Sequence, residues 1–228
     1  MSARLRRWTG LAAILGGVLC VLLTPIQAYS DEDYWWPQPG WLVAVGLPLE
    51  GYHRLHAWLG VRLGLSEYFF FGRMFFLVYL LALCGVLGTR SRRPAAGARL
   101  DRVGLVALVI GLILGAVGAF GAYWRPSWSS DGEVGQTIET LGLLVVLVGS
   151  VLYGVAVLLV GSLPRWCGWL LVIAGPAAVV DTFYGVYYIP HGTMLPISVV
   201  WAAVGIVLLR GPDGHAAGAA TRQVVAAG

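Results

Sequence analysis

Long apolar runs separated by short polar segments make up most of this 228-residue chain. Six of them approach or exceed the roughly 20 residues that an α-helix needs to cross about 30 Å of hydrocarbon. We place these runs at Trp8–Ala28, Phe69–Gly88, Val103–Tyr123, Ile138–Val160, Gly168–Ile189 and Thr193–Leu209. The pattern predicts an all-α, polytopic membrane protein with a six-helix transmembrane bundle in residues 1–210 and a flexible cytoplasmic tail at 211–228.

The first run resembles the apolar core of a signal peptide, because Arg4, Arg6 and Arg7 precede it. It is longer than such a core, and five more runs follow it. We therefore interpret it as a retained first helix.

An outer segment at 29–68 separates the first two runs, and its second half has a different periodicity. Its apolar positions recur at helical spacing: Leu49, Tyr52, Leu55, Leu59 and Leu63. The charged side chains between them fall mostly on other faces. This pattern is typical of an amphipathic helix that lies in the membrane interface, with Trp58 as an anchor at headgroup depth.

The composition excludes a soluble domain. Hydrophobic residues make up 58% of the chain and charged residues 11%, against about 25% charged residues in a soluble domain. The three cysteines, Cys20, Cys84 and Cys167, are far apart and form no CxxC or zinc-type spacing. We interpret them as small core residues and expect no metal and no other cofactor.

The arginines predict the orientation. All 15 basic residues are arginine, which is typical of a GC-rich genome. If the N-terminus is cytoplasmic, 11 of them lie on the cytoplasmic side and 4 lie outside or at the outer boundary. This asymmetry predicts cytoplasmic N- and C-termini in a bacterial inner membrane. Because the arginines lie in loops beside apolar runs, the +4 net charge does not indicate nucleic-acid binding.

Asp181 is the strongest candidate for a functional residue. It lies about midway along the fifth predicted run, where a carboxylate is costly unless it faces a partner or a cavity. Glu139, near the outer end of the fourth run, is a second candidate acid. Arg73, one turn into the second run, is the cation that we expect to pair with either of them.

Several residues are candidates for contacting a ligand near Asp181. Tyr184 and Tyr188 follow it at i+3 and i+7, and His191 lies in the turn before the last run. Trp35 and Trp36 belong to an outer aromatic cluster for which we favour membrane anchoring. The alternative is a lid over an outward-facing cavity.

One histidine motif resembles half of a di-metal site. Glu50, His53 and His56 are spaced three residues apart, as in the Glu-x-x-His half-sites of metal-binding helical bundles. The chain contains no second Glu-x-x-His. We therefore favour a polar, interfacial helix face over a metal site.

Glycines in the third run indicate close helix packing. Gly111, Gly115 and Gly118 fall on one helix face, and such strips allow helix backbones to approach closely in a membrane. We favour packing against the fourth run of the same chain. The alternative is a homo-oligomer that uses this strip.

Three functions from different classes remain open. We rank a small transporter or membrane ligand-binding protein first, with an apolar or lipid-like ligand, because it needs only one buried acid and a cavity. An intramembrane enzyme that acts on a lipid or isoprenoid by acid catalysis is the second, and an accessory or assembly subunit is the third. If the acids line a water-filled cavity, transport or binding is favoured. A lateral opening to lipid favours lipid chemistry, and a sealed interior favours a structural pair.

Overall fold

The computed structural model describes residues 2–29, 49–92, 99–124, 130–181 and 191–210. These ranges contain helices and no strand, so the all-α prediction is confirmed. The α-helices are α1 (Ala3–Tyr29), α2 (Leu49–Leu55), α3 (Glu67–Thr89), α4 (Arg99–Tyr123), α5 (Ser130–Val160), α6 (Arg165–Val180) and α7 (His191–Arg210). Trp35, Trp36, Tyr184, Tyr188 and the predicted tail at 211–228 lie outside the described residues.

Five helices are long and apolar enough to cross a membrane: α1, α3, α4, α5 and α7. They indicate a multi-pass membrane protein. The remaining long helix, α6, has 16 residues and is about 24 Å in length, which is short of the roughly 30 Å hydrocarbon layer. The predicted fifth run continues beyond it into residues that the structure does not describe. A sixth crossing therefore remains a prediction.

The six long helices form a closed ring. In ring order they are α1, α3, α4, α5, α6 and α7, and α7 packs back against α1. The contact between α4 and α5 is the most extensive, and the contact between α6 and α7 is the least extensive of the six. Fully buried aromatic side chains fill the interior, among them Tyr79, Tyr153 and Trp201.

Glycines explain the close contact between α4 and α5. A Cβ atom at Gly111 would come within 2.7 Å of the Gly142 carbonyl oxygen, and one at Gly118 would overlap the backbone of Glu139. At Gly115 the added atom would meet the ring of Tyr79. All three positions are buried within the chain, as the intramolecular interpretation predicts. A homo-oligomer built on this strip would first require these helices to separate.

The bundle presents apolar side chains on its outside. Large hydrophobic residues are exposed on every long helix, for example Leu15, Leu77, Ile113, Leu144 and Val199. A soluble protein would cover most of this surface. In a membrane the same surface contacts lipid chains, which agrees with the composition.

The residues from 49 to 63, which we call the outer helical segment, form one helical stretch with a changing pitch. After α2 it continues as a π turn at His56–Gly60 and a 3₁₀ turn at Val61–Leu63, and it ends at Gly64 with a φ of 66°. Tyr52 and Leu59 pack against the core, whereas Leu55 and Leu63 are exposed. That the exposed leucines of this segment lie in the membrane interface stays a prediction.

Candidate functional site

Glu139 lies in the sealed interior of the bundle. Its side chain is 0% exposed, and its Oε1 accepts a hydrogen bond of 2.9 Å from the hydroxyl of Tyr79 on α3. The Tyr79 ring in turn lies against Gly115 of α4. Three helices therefore enclose this acid. Such a sealed interior is the environment that we expect for an acid in a structural pair. Sequence reasoning did not select Tyr79, although its position in mid-run, away from the interfaces, distinguishes it from an aromatic anchor.

Arg73 pairs with neither acid, so the predicted ion pair is wrong. Its Nε donates to the Tyr123 carbonyl oxygen at 2.9 Å and its Nη2 donates to the Trp124 carbonyl oxygen at 3.3 Å. The guanidinium also lies 5.4 Å from the centroid of the Trp124 ring. The last carbonyl groups of a helix lack helical donors and carry partial negative charge, and a cation satisfies both needs. Arg73 thus caps the end of α4.

Asp181 lies at the end of the described α6 helix, directly after Val180, so its predicted position midway along the fifth run stays a prediction. Its backbone remains helical, with φ of −61° and ψ of −40°. The side chain is partly buried, and its Oδ2 atom is buried without a hydrogen-bond partner in the part of the chain that the structure describes. Buried carboxylate oxygens normally have partners, so this oxygen of Asp181 has unused acceptor capacity.

A groove between α6 and α7 has Asp181 at the end of its described lining and has a volume of about 610 Å³. Apart from Asp181 its lining is apolar, with Leu170, Ile173, Ala177 and Val180 from α6 and Pro196 and Val199 from α7. Ile173, Val180 and Val199 are also exposed on the outside of the ring. The groove therefore opens sideways, toward the space that lipid occupies.

Two prolines coincide with this opening. Pro176 lies inside α6 and Pro196 lies inside α7. Proline lacks a backbone N–H and bends a helix, and it leaves the carbonyl group four residues earlier without its helical donor. The α6–α7 contact, which is the least extensive in the ring, is thus one in which both helices contain a proline.

The three predicted members of one site do not meet. Glu139 is enclosed by α3, α4 and α5, Arg73 caps α4, and Asp181 faces the groove. His191 is the first residue of α7, and its side chain is not described. Asp181 alone of the described candidates lines this groove.

The comparisons with known proteins add no relative. No protein-family model matches the sequence, and no curated protein or solved structure matches it. The inference of function therefore depends on the groove and its acid.

The histidines of the outer helical segment meet Glu67, an acid that our sequence reasoning missed. His53 Nδ1 lies 2.6 Å from Glu67 Oε1, and His56 Nδ1 lies 3.9 Å from the same oxygen. His56 Nε2 donates to the Leu65 carbonyl oxygen at 2.8 Å. Among the residues with described positions, no group of three or more His, Cys, Asp or Glu side chains is placed to hold a metal ion. These contacts instead attach the outer helical segment to the start of α3.

Proposed function

We propose that this multi-pass membrane protein binds a lipid-like molecule that enters the α6–α7 groove sideways from the bilayer. Its chain lies along the apolar lining, and its polar end lies at Asp181. One observation carries the proposal: a carboxylate with an unpartnered, buried oxygen stands at the end of an apolar groove. Ligand sites commonly combine such a lining with a few polar groups that orient the ligand.

The groove favours binding over the two alternatives. Acid catalysis on a lipid needs a held substrate and, in most mechanisms, a second polar group near the acid. The described lining supplies Asp181 and otherwise apolar side chains. An accessory subunit needs no such acid, and its carboxylate would be expected to have a structural partner, as Glu139 has in Tyr79. Transport is one form of this proposal, in which the bound lipid moves from one side of the membrane to the other.

The proposal includes six crossings, with both termini in the cytoplasm of a bacterial cell and α6 extended by residues after Asp181. The arginine asymmetry supports this orientation. The ring supports it as well, because six helices that alternate in direction bring both ends of the chain to one side. We call the side that contains Arg73 and Asp181 the predicted outer end.

Blocking the groove tests the proposal. In Ala177→Phe the larger side chain would fill the groove from α6, whereas Val148→Phe adds the same ring at an exposed position on α5. Native mass spectrometry of protein released from lipid nanodiscs should detect a retained lipid on the parent and on Val148→Phe, but not on Ala177→Phe. Equal lipid retention by all three proteins would refute a site in this groove.

A further inference from the structure

The polar side chain in the described lining of the groove is a hydrogen-bond acceptor, the carboxylate of Asp181. The described lining contains no basic side chain and no side-chain donor. A ligand that forms a hydrogen bond with Asp181 must therefore supply the donor itself.

The charge of the Asp181 carboxylate also favours a ligand that brings a hydrogen-bond donor. An ionised carboxylate in apolar surroundings interacts strongly with a nearby charge because little water screens it. Arg73 is committed to the end of α4 and does not neutralise Asp181. A second anion beside Asp181 would be repelled, whereas a cation or a neutral donor would be attracted.

The dimensions of the groove favour one chain. From Leu170 to Asp181 it follows α6 over twelve residues, which corresponds to about 17 Å along a helix. It lies in a single contact between two neighbouring helices. Because the groove belongs to one pair of helices, we expect it to hold one chain, and its opening to the outside at Ile173 and Val199 allows that chain to enter sideways.

We infer that the ligand is a single-chain lipid whose head group donates hydrogen bonds and carries no negative charge, as a protonated amine or a hydroxyl group does. This inference depends on the proposed lipid-binding function of the same groove. The donor pairs with Asp181, and the alkyl chain extends along α6 toward Leu170. An amine adds charge pairing to the hydrogen bond, so it binds more tightly than a hydroxyl group.

Three probes that share a dodecyl chain compare binding of an amine, a hydroxyl and an anionic head group. Radiolabelled dodecylamine, dodecanol and dodecanoate are titrated near neutral pH onto the purified protein in phosphatidylcholine nanodiscs, with empty nanodiscs subtracted. We expect saturable binding in the order amine, alcohol, carboxylate, with dodecanoate weaker than the amine by about tenfold or more. This order is measured on the parent protein and needs no variant.

Variants then assign the preference to Asp181. Asp181→Asn removes the charge and should remove most of the difference between dodecylamine and dodecanoate. Glu133→Gln is the matched control, because it removes an exposed carboxylate at the predicted outer end and should leave the order unchanged. Ala177→Phe should abolish saturable binding of all three probes.

The outcomes distinguish the inference from the proposed function. Equal affinities for the three probes, or tighter binding of dodecanoate, would overturn the donor inference; if Ala177→Phe still abolished that binding, the lipid site itself would stand. If no probe bound saturably, or if Ala177→Phe bound them all as the parent does, both would be overturned.

Discussion

At the scale of single residues, Asp181 and Glu139 are similar in sequence and different in structure. Each is an acid within a predicted apolar run. Glu139 is enclosed and accepts a hydrogen bond from Tyr79, whereas Asp181 lines an open groove. These environments agree with a structural role for Glu139 and with the ligand contact that we propose for Asp181.

Removing the Tyr79 hydroxyl should destabilise the bundle without affecting the groove. Tyr79→Phe deprives the buried Glu139 carboxylate of a donor, and hydrogen bonds between membrane helices contribute about 0.6–2 kcal/mol. We expect the free energy of unfolding, measured by denaturing-detergent titration, to fall by about that amount. Probe binding by folded protein should remain unchanged.

Ser150→Ala is the matched control for this prediction. Ser150 is fully buried on the same helix as Glu139, and its Oγ has no hydrogen-bond partner in the described ranges. The change should therefore cost less than Tyr79→Phe. A larger loss in Ser150→Ala than in Tyr79→Phe would contradict the importance we assign to the Tyr79–Glu139 hydrogen bond.

At the scale of elements, the outer helical segment is attached at two places. The hydroxyl of Tyr52 donates to the Leu22 carbonyl oxygen of α1 at 2.8 Å, and Glu67 at the start of α3 holds His53. The helical spacing correctly predicted that this stretch is helical. It did not predict the π turn, because the periodicity of apolar residues does not reveal a local change in pitch.

The Tyr52 attachment should weaken at high pH. Burial raises the pKa of Tyr52 above its ordinary value of 10.0, because burial disfavours the charged phenolate. The stabilisation is thus fully present below pH 10.0 and is lost as the pH rises through the higher folded-state pKa. A spin label at Leu55 should gain mobility in that alkaline range.

Two comparisons check this pH dependence. In Tyr52→Phe the Leu55 label should already be mobile at neutral pH, because the bond to Leu22 is absent. A label at the exposed Leu144 of α5 should not change, which excludes general unfolding. Identical titration curves for the parent and for Tyr52→Phe would show that the hydroxyl does not hold the segment.

At the scale of the whole molecule, the ring has one contact that differs from the others. The glycine-rich contact between α4 and α5 is closely packed, whereas the proline-containing contact between α6 and α7 leaves a groove. Because the described part of α6 is the shortest of the six long helices, the number of membrane crossings depends on whether α6 spans the membrane.

Reporter fusions test the proposed six-span topology. A reporter after Gly228 and another in the stretch between α3 and α4, at 93–98, should both report the cytoplasm, and one in Asp31–Gln38 should report the outside. If only the five long apolar helices cross, the two ends of the chain lie on opposite sides. A C-terminal reporter found outside would therefore refute the sixth crossing and the orientation of Asp181.

The sequence by itself determined that this is an all-α membrane protein and where its long apolar helices lie. Runs such as Val103–Tyr123 must lie in a membrane as helices, because hydrocarbon can neither hydrate charges nor satisfy an open backbone. Helix ends were less predictable: α5 begins at Ser130 and not at Ile138, since polar residues can form the first turns of a helix outside the hydrocarbon.

Only the tertiary structure decided which polar groups meet. Arg73 reaches the end of α4, Glu139 meets Tyr79 across 60 positions in sequence, and His53 meets Glu67. Periodicity identifies the face of a helix but not the neighbour that the face contacts. Ring order, glycine contacts and proline positions select those neighbours, and they leave Asp181 beside a groove that opens toward lipid.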